Sequence, residues 1–137
     1  MSAVQDALIQ FMVIAATSDA AITDQELGRI EGLIVRLPIF EGFDRSRLAD
    51  VVNATVDKLN GEHGFEGMLD QAMAAIPPKL EDTAYALAVE ITAVDLNLEQ
   101  EELRVLEMMR DRMDLDRLTT AAIEVAARAR HRRLPAQ

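Results

Sequence analysis

The chain holds 137 residues, half of them hydrophobic, with a formal net charge of -10 and no cysteine. That length suits one domain with a core of its own; the missing thiols exclude disulfides, thiolate metal sites and a cysteine nucleophile. Four arginines, Arg128, Arg130, Arg132 and Arg133, crowd the C-terminal stretch with no acid among them, so the remainder is more acidic still and repels a phosphate backbone, which argues against nucleic acid as a ligand.

Aromatics are scarce, and Ala, Leu, Ile, Val and Met carry the apolar load, with few Gly or Pro, so the expected class is all-α. Residues 1–6 lack the positive charge of a leader, and the apolar run Ala7 to Ala16 contains Gln10 and is too short to cross a bilayer. A cytoplasmic chain with no integral membrane segment is expected.

A first helix over about 3–17 places Val4, Ala7, Leu8, Phe11, Met12 and Ala15 on one face and Ile9, Val13 and Ile14 elsewhere, which marks a central, enclosed helix. Thr23 with Glu26 three residues later reads as a capping box that opens a second helix, whose stripe is Leu27, Ile30, Ile34 and Leu37 and which Pro38 stops. After a connector, Asp44 caps a third helix with the stripe Leu48, Val51, Val52, Val56 and Leu59. Asn60-Gly61 ends it, with Gly61 expected in the left-handed conformation. A fourth helix keeps Phe65, Met68, Leu69, Ala72, Met73 and Ile76 in register until Pro77-Pro78 breaks it.

Beyond the prolines the pattern repeats. Residues 81–94 form another helix apolar on most sides. A helix over about 99–113 carries Leu103, Leu106 and Met109 or Arg110. Leu115-Asp116 opens the last helix, with the stripe Leu118, Ala121, Ala122, Val125, Ala126 and Ala129. Asp19 aligns with Asp95, Ile22 with Leu98, Glu26 with Glu102 and Leu27 with Leu103, and further on Leu48 with Leu118. The expected architecture is a single all-α domain spanning 1–137. It has about seven helices: two pseudo-symmetric three-helix units, 3–59 and 80–130, joined by a bridging helix, with a basic tail at 128–137.

Each unit contains an acidic helix-loop-helix hinge, Asp19 to Leu27 and Asp95 to Leu103, reading acid, two residues, apolar, three residues, acid, Leu. This arrangement resembles the TerB-like family of small helical domains associated with tellurite resistance. Its hinge signature is an apolar helix ending in Ala and Asp, then Gly, a polar residue, an aliphatic, three residues and Glu. Ala16 to Glu26 matches it, and Ala93 to Glu102 matches it more loosely; the usual glycine is Ala20 in the first copy and Leu96 in the second. The resemblance implies a cytoplasmic, non-enzymatic role in resistance to tellurite and related stresses, with hinge acids holding a divalent cation. It nominates Asp19, Glu26, Asp95 and Glu102.

Hard cations such as Ca2+ or Mg2+ take oxygen ligands, and Asp95, Asn97 and Glu99 occupy alternating positions like the start of a calcium loop. A full EF-hand is excluded, because Gln100 stands where its Gly belongs and Leu106 where its bidentate Glu belongs. The competing reading is structural: Glu26 and Glu102 complete helix caps, and Asp19 and Asp95 bond loop N–H groups. The candidate metal set is therefore Asp19, Glu26, Asp95, Asn97, Glu99 and Glu102, and the alternative partner of the acidic hinges is a protein. An enzyme alternative pairs Glu99 with Glu102 as in the Mg2+ helix of all-α nucleotide pyrophosphohydrolases, but the only E-x-x-D, Glu41 with Asp44, falls in a connector. A third reading is a purely structural interaction domain. No catalytic residue is nominated; His63 and His131 are expected exposed, and the methionines are core filler.

Overall fold

The computed structural model describes residues 2–17, 22–62, 64–92 and 100–135, with the side chains of 100–102 excepted. Among them are seven α-helices and no strand: α1 Ala3–Ala16, α2 Asp24–Arg36, α3 Leu48–Leu59, α4 Gly64–Ala75, α5 Glu81–Thr92, α6 Gln100–Asp111 and α7 Arg117–Arg130. The all-α expectation holds. None of these helices is long and apolar enough to cross a membrane.

Two helices are enclosed, as their all-round apolarity requires. Leu8, Ile9, Phe11, Met12, Val13 and Ile14 of α1 are buried, and so are Ala84, Tyr85, Leu87, Ala88, Val89 and Ile91 of α5. These two pack against each other, α3 and α4 cover α1, and α6 and α7 cover α5. One hydrophobic cluster draws on all seven helices, with Ile30 and Ile34 from α2, Leu48, Val51 and Val52 from α3, Met68, Leu69 and Ala72 from α4, and Leu106 and Met109 from α6. The buried hydroxyls of Thr55 and Thr92 donate to the carbonyls of Val51 and Val89, so neither is left unpaired.

Caps set the ends. Ser2 accepts from the Gln5 amide at the start of α1, and the capping box predicted for α2 forms in both directions. Asp44 caps the short 3-10 turn 45–47 that leads into α3, and Asp116 caps α7. Hydrogen bonds from Ser46 hold the Asp44 carboxyl below its ordinary range, and those from Thr119 and Leu118 do the same for Asp116. Gly61 departs from expectation: the positive-φ glycines are Gly42, at 82°, and Gly64, at 58°. The Asn60 and Gly61 amides instead close the last turn of α3 onto the carbonyls of Val56 and Lys58, which needs no left-handed residue.

The two halves share a device that composition does not reveal. Gln5, early in α1, donates through its side chain to the carbonyls of Ile39 and Glu41, each at 3.1 Å, in the connector after α2. Glu81, at the start of α5, accepts from the amide of Asp114 at 2.9 Å in the connector after α6. In each half the first helix pins the segment that turns from the second helix to the third. Next to Gln5, Asp6 pairs with Arg47 at 2.8 Å, and Arg47 also lies over the Phe43 ring.

The last helix corrects the sequence reading. Its predicted core stripe faces out: Leu118 is 81% exposed and Val125 56%, and Ala121, Ala122, Ala126 and Ala129 are exposed as well. The inward positions are Thr120, Ile123, Glu124 and Ala127. The expected pairing of Leu48 with Leu118 sets a buried position against an exposed one. Leu103, placed on the α6 stripe, is likewise 47% exposed, while Leu106 and Met109 are buried.

These placements make the helix faces testable by stability. Leu69→Ala should cost about 2–5 kcal/mol by leaving a cavity in the core, and Thr23→Ala about 1 kcal/mol through the lost cap. Leu118→Ala should stay within about 0.5 kcal/mol. Urea unfolding of the three variants checks the order; a Leu118 loss comparable to that of Leu69 would return the stripe to the core.

Candidate functional site

At the first hinge the geometry explains Glu26 without a ligand. The Thr23 amide donates to Glu26 Oε1 at 2.9 Å, and the Glu26 amide donates to Thr23 Oγ1 at 3.1 Å. This reciprocal bond satisfies donors that a helix start leaves orphaned, and it engages one carboxylate oxygen of Glu26. Asp19, Asp95, Asn97 and Glu99 lie outside the described residues, and so does the side chain of Glu102, whose backbone belongs to α6. Among the described residues no three His, Asp or Glu side chains converge on a metal-sized site. Glu26 is thus the one nominated ligand whose side chain is described, and the box accounts for it.

The polar groups that the structure does bring together lie between α5, α6 and α7. Tyr85, fully buried on α5, donates its hydroxyl to Glu124 Oε2 of α7 at 2.5 Å. Arg110 of α6 donates through Nη1 to the same carboxylate oxygen at 2.8 Å and to the Tyr85 oxygen at 3.1 Å. Further along, Glu90 of α5 accepts from Arg130 and faces His131 Nε2 at 2.7 Å. Tyr85 meets Glu124 and Glu90 meets His131, so α5 and α7 run in the same direction. Two polar anchors, two turns apart on α7, fix which side of that helix faces inward.

His131 is therefore half-buried and paired, not exposed as expected; His63 lies outside the described residues. All four tail arginines are exposed, and of them Arg130 turns back onto Glu90. Burial on its own would raise the Glu90 carboxyl, but the bonds from Arg130 and His131 outweigh it and hold it below the ordinary glutamate range. Its contribution to stability is present above that range and is lost as pH falls through the lowered value.

The surface also carries open depressions. One of about 210 Å³ lies between α2 and the start of α3, lined by Leu27, Ile34 and Leu48 with Glu31 and Arg45 beside them. A wider one of about 570 Å³, bordered by Asp57, Lys58, Glu62, Met68 and Gln71, lies at the α3–α4 turn. Ser46, on the edge of the first, donates its hydroxyl to Asp44 Oδ1 at 2.7 Å; of the acids the enzyme alternative needs, Glu41 and Asp44 stand in the connector, and Glu99 with the side chain of Glu102 lies outside the described residues.

One sequence signal could have exposed the α7 arrangement: the single tyrosine in a buried helix, which needs a partner for its hydroxyl. Burial, then the bond to Glu124, pushes the Tyr85 phenol well above the usual tyrosine range, against the smaller pull of Arg110. Folding thus favours the protonated phenol. Between the unfolded value, near 10, and the raised folded one, the native state holds the extra proton, so stability falls as pH rises through that window. Because Tyr85 is the only tyrosine, phenolate absorbance near about 295 nm reports on it alone. The folded chain should show no phenolate until pH is well above about 10, and Glu124→Gln, which removes the charged acceptor, should bring the transition down. A normal tyrosine titration in the folded chain would contradict the buried network.

No family model, no curated protein and no solved structure matches this chain.

Proposed function

We propose that this protein is a non-enzymatic, TerB-like interaction module that serves a stress-response assembly by holding a protein partner. The observation that supports this reading is the outward face of α7, on which Leu118 and Val125 stand exposed among alanines while the polar side of the same helix is turned into the protein. A helix normally buries its apolar stripe. When the stripe is turned to solvent and the polar face is bonded underneath, the exposed apolar surface is available to another molecule. The tellurite association and the cytoplasmic setting belong to the resemblance at Ala16 to Glu26 and remain part of the same proposal.

The acidic hinges are the second candidate face, for a divalent cation held by Asp19, Glu26, Asp95, Asn97, Glu99 and Glu102. Glu26 is already engaged by its cap, which favours the structural role for the first hinge. Chelator-treated protein should therefore melt at the same temperature with and without about 1 mM Ca2+ or Mg2+, whereas a site filled at 100 times its dissociation constant would add about 2.7 kcal/mol. Such a rise would favour the cation over the cap.

The partner reading is tested in the source cell with a photo-crosslinking residue in place of Ala122. A defined adduct, identified by mass spectrometry and lost when Leu118→Asp and Val125→Asp are added, is the expected result. No adduct beyond that from a control position at Asp57 would sink the reading, and pyrophosphate release from nucleoside triphosphates would replace it with the hydrolase alternative.

A further inference from the structure

The exposed face of α7 combines two properties that together specify what covers it. The first is shape. The helix has 14 residues, about 21 Å of length, and its outward stripe is Leu118, Ala121, Ala122, Val125 and Ala129, two larger side chains set among alanines. Small residues let another helix axis come close, and the two larger ones supply knobs for its grooves. The stripe has no aromatic residue to anchor in a lipid interface, which separates it from the usual membrane-surface helix.

The second property is charge. Arg117 and Arg128 flank one side of the stripe, and Arg132 and Arg133 continue beyond its end; all four are exposed and make no ion pair among the described residues. The one acid of α7, Glu124, is half-buried and bonded to Arg110 and Tyr85. Arg130, the one helical arginine on the inward side, is neutralised by Glu90. The internal pairing removes the acid from the outer surface and leaves only cations there, on a protein whose net charge is -10.

Like charges oppose a second copy docking through the same face. In an antiparallel pair of α7 helices Arg117 would approach Arg128 or Arg132 of its mate, a like-charge contact that a partner helix with acidic flanks does not make.

We infer that the outward face of α7 is the docking surface for an amphipathic helix of a partner protein, with an apolar stripe set on Leu118 and Val125 and acidic flanks set on Arg117 and Arg128. This rests on the partner reading above and gives it a chemistry. Apolar contact supplies the register, and the arginines supply attraction and choice of partner. The Tyr85–Glu124–Arg110 network and the Glu90 anchor hold the helix in the rotation that presents this face. Because the area is small, binding should be in the micromolar range and sensitive to salt.

The probe is a designed helical peptide with a Leu/Ala stripe at i, i+3, i+4 and i+7 and glutamate flanks, compared with a twin carrying lysine in place of glutamate. Binding to the full chain is followed by fluorescence anisotropy. The glutamate peptide should bind at least about tenfold more tightly than its twin, and Leu118→Asp with Val125→Asp, or Arg117→Glu with Arg128→Glu, should each weaken it about tenfold or more. All four positions are exposed, so circular dichroism and melting should confirm an unchanged fold.

Equal binding of the two peptides, or binding untouched by the substitutions, overturns the inference. So does sedimentation with phosphatidylcholine–phosphatidylserine vesicles without peptide binding, which would assign the face to a membrane, and so does concentration-dependent self-association abolished by Leu118→Asp, which would assign it to a second copy. If the crosslink from position 122 forms while the peptides fail to discriminate, the partner reading stands and its acidic-helix chemistry falls. If the crosslink fails as well, both fall.

Discussion

Everything in this fold follows from the need to enclose two helices that have no polar side. Along α1 nearly every residue from Ala7 to Ala15 is buried, and α5 is covered almost as completely from Ala84 to Thr92. Each large aliphatic or aromatic side chain removed from water contributes about 1.5–3 kcal/mol, most of which offsets the entropy of ordering the chain. No single partner helix can cover such a pair, so α3 and α4 close over one and α6 and α7 over the other. Gln5 and Glu81 then hold the connectors that bring the third helix of each half back onto the first.

The same enclosure creates one obligation that shapes the surface. Tyr85 brings a hydroxyl into the layer between α5 and α7, and an unpaired buried hydroxyl would cost on the order of 1–3 kcal/mol. Glu124 and Arg110 meet it together, and Glu90 receives Arg130 and His131 farther along. Where α3 offers Leu48 and Val52 to the interior, α7 offers Thr120 and Glu124. The polar bonds outbid the helix's own apolar stripe for the inward position, and the alanines with Leu118 and Val125 are left outside. A local need for hydrogen bonds thus becomes an exposed apolar face rimmed by arginine.

Much of the fold was legible beforehand because it depends on short-range chemistry. The Thr23–Glu26 box, the Pro38 and Pro77 breaks and the regular stripe from Phe65 to Ile76 are interactions within one or two turns, and they appear where the residues put them, while the Asp44 cap falls one 3-10 turn ahead of α3. The candidate site was legible only in part. Glu26 could be read as ligand or cap because the same carboxylate suits both, and only the position of its oxygen against the Thr23 amide separates them. His131 looked like part of a solvated tail until Glu90, remote in sequence, supplied its partner. The stripe of α7 itself carried no such signal, since Leu, Val and Ala read the same whether they face inward or outward; the pointer was Tyr85 on another helix.

The helical class, the ends of most helices and the central place of α1 and α5 are written in the residues themselves. Propensity, capping and all-round apolarity are properties of neighbouring residues and of composition. The rotation of α7, the half-buried placing of Glu124 and the pairing of His131 come from long-range packing. Each is a competition between groups far apart in the chain, in which a desolvated hydroxyl and carboxylate outweigh a weakly apolar, alanine-rich stripe, and that balance is set only once α5 and α6 are in place.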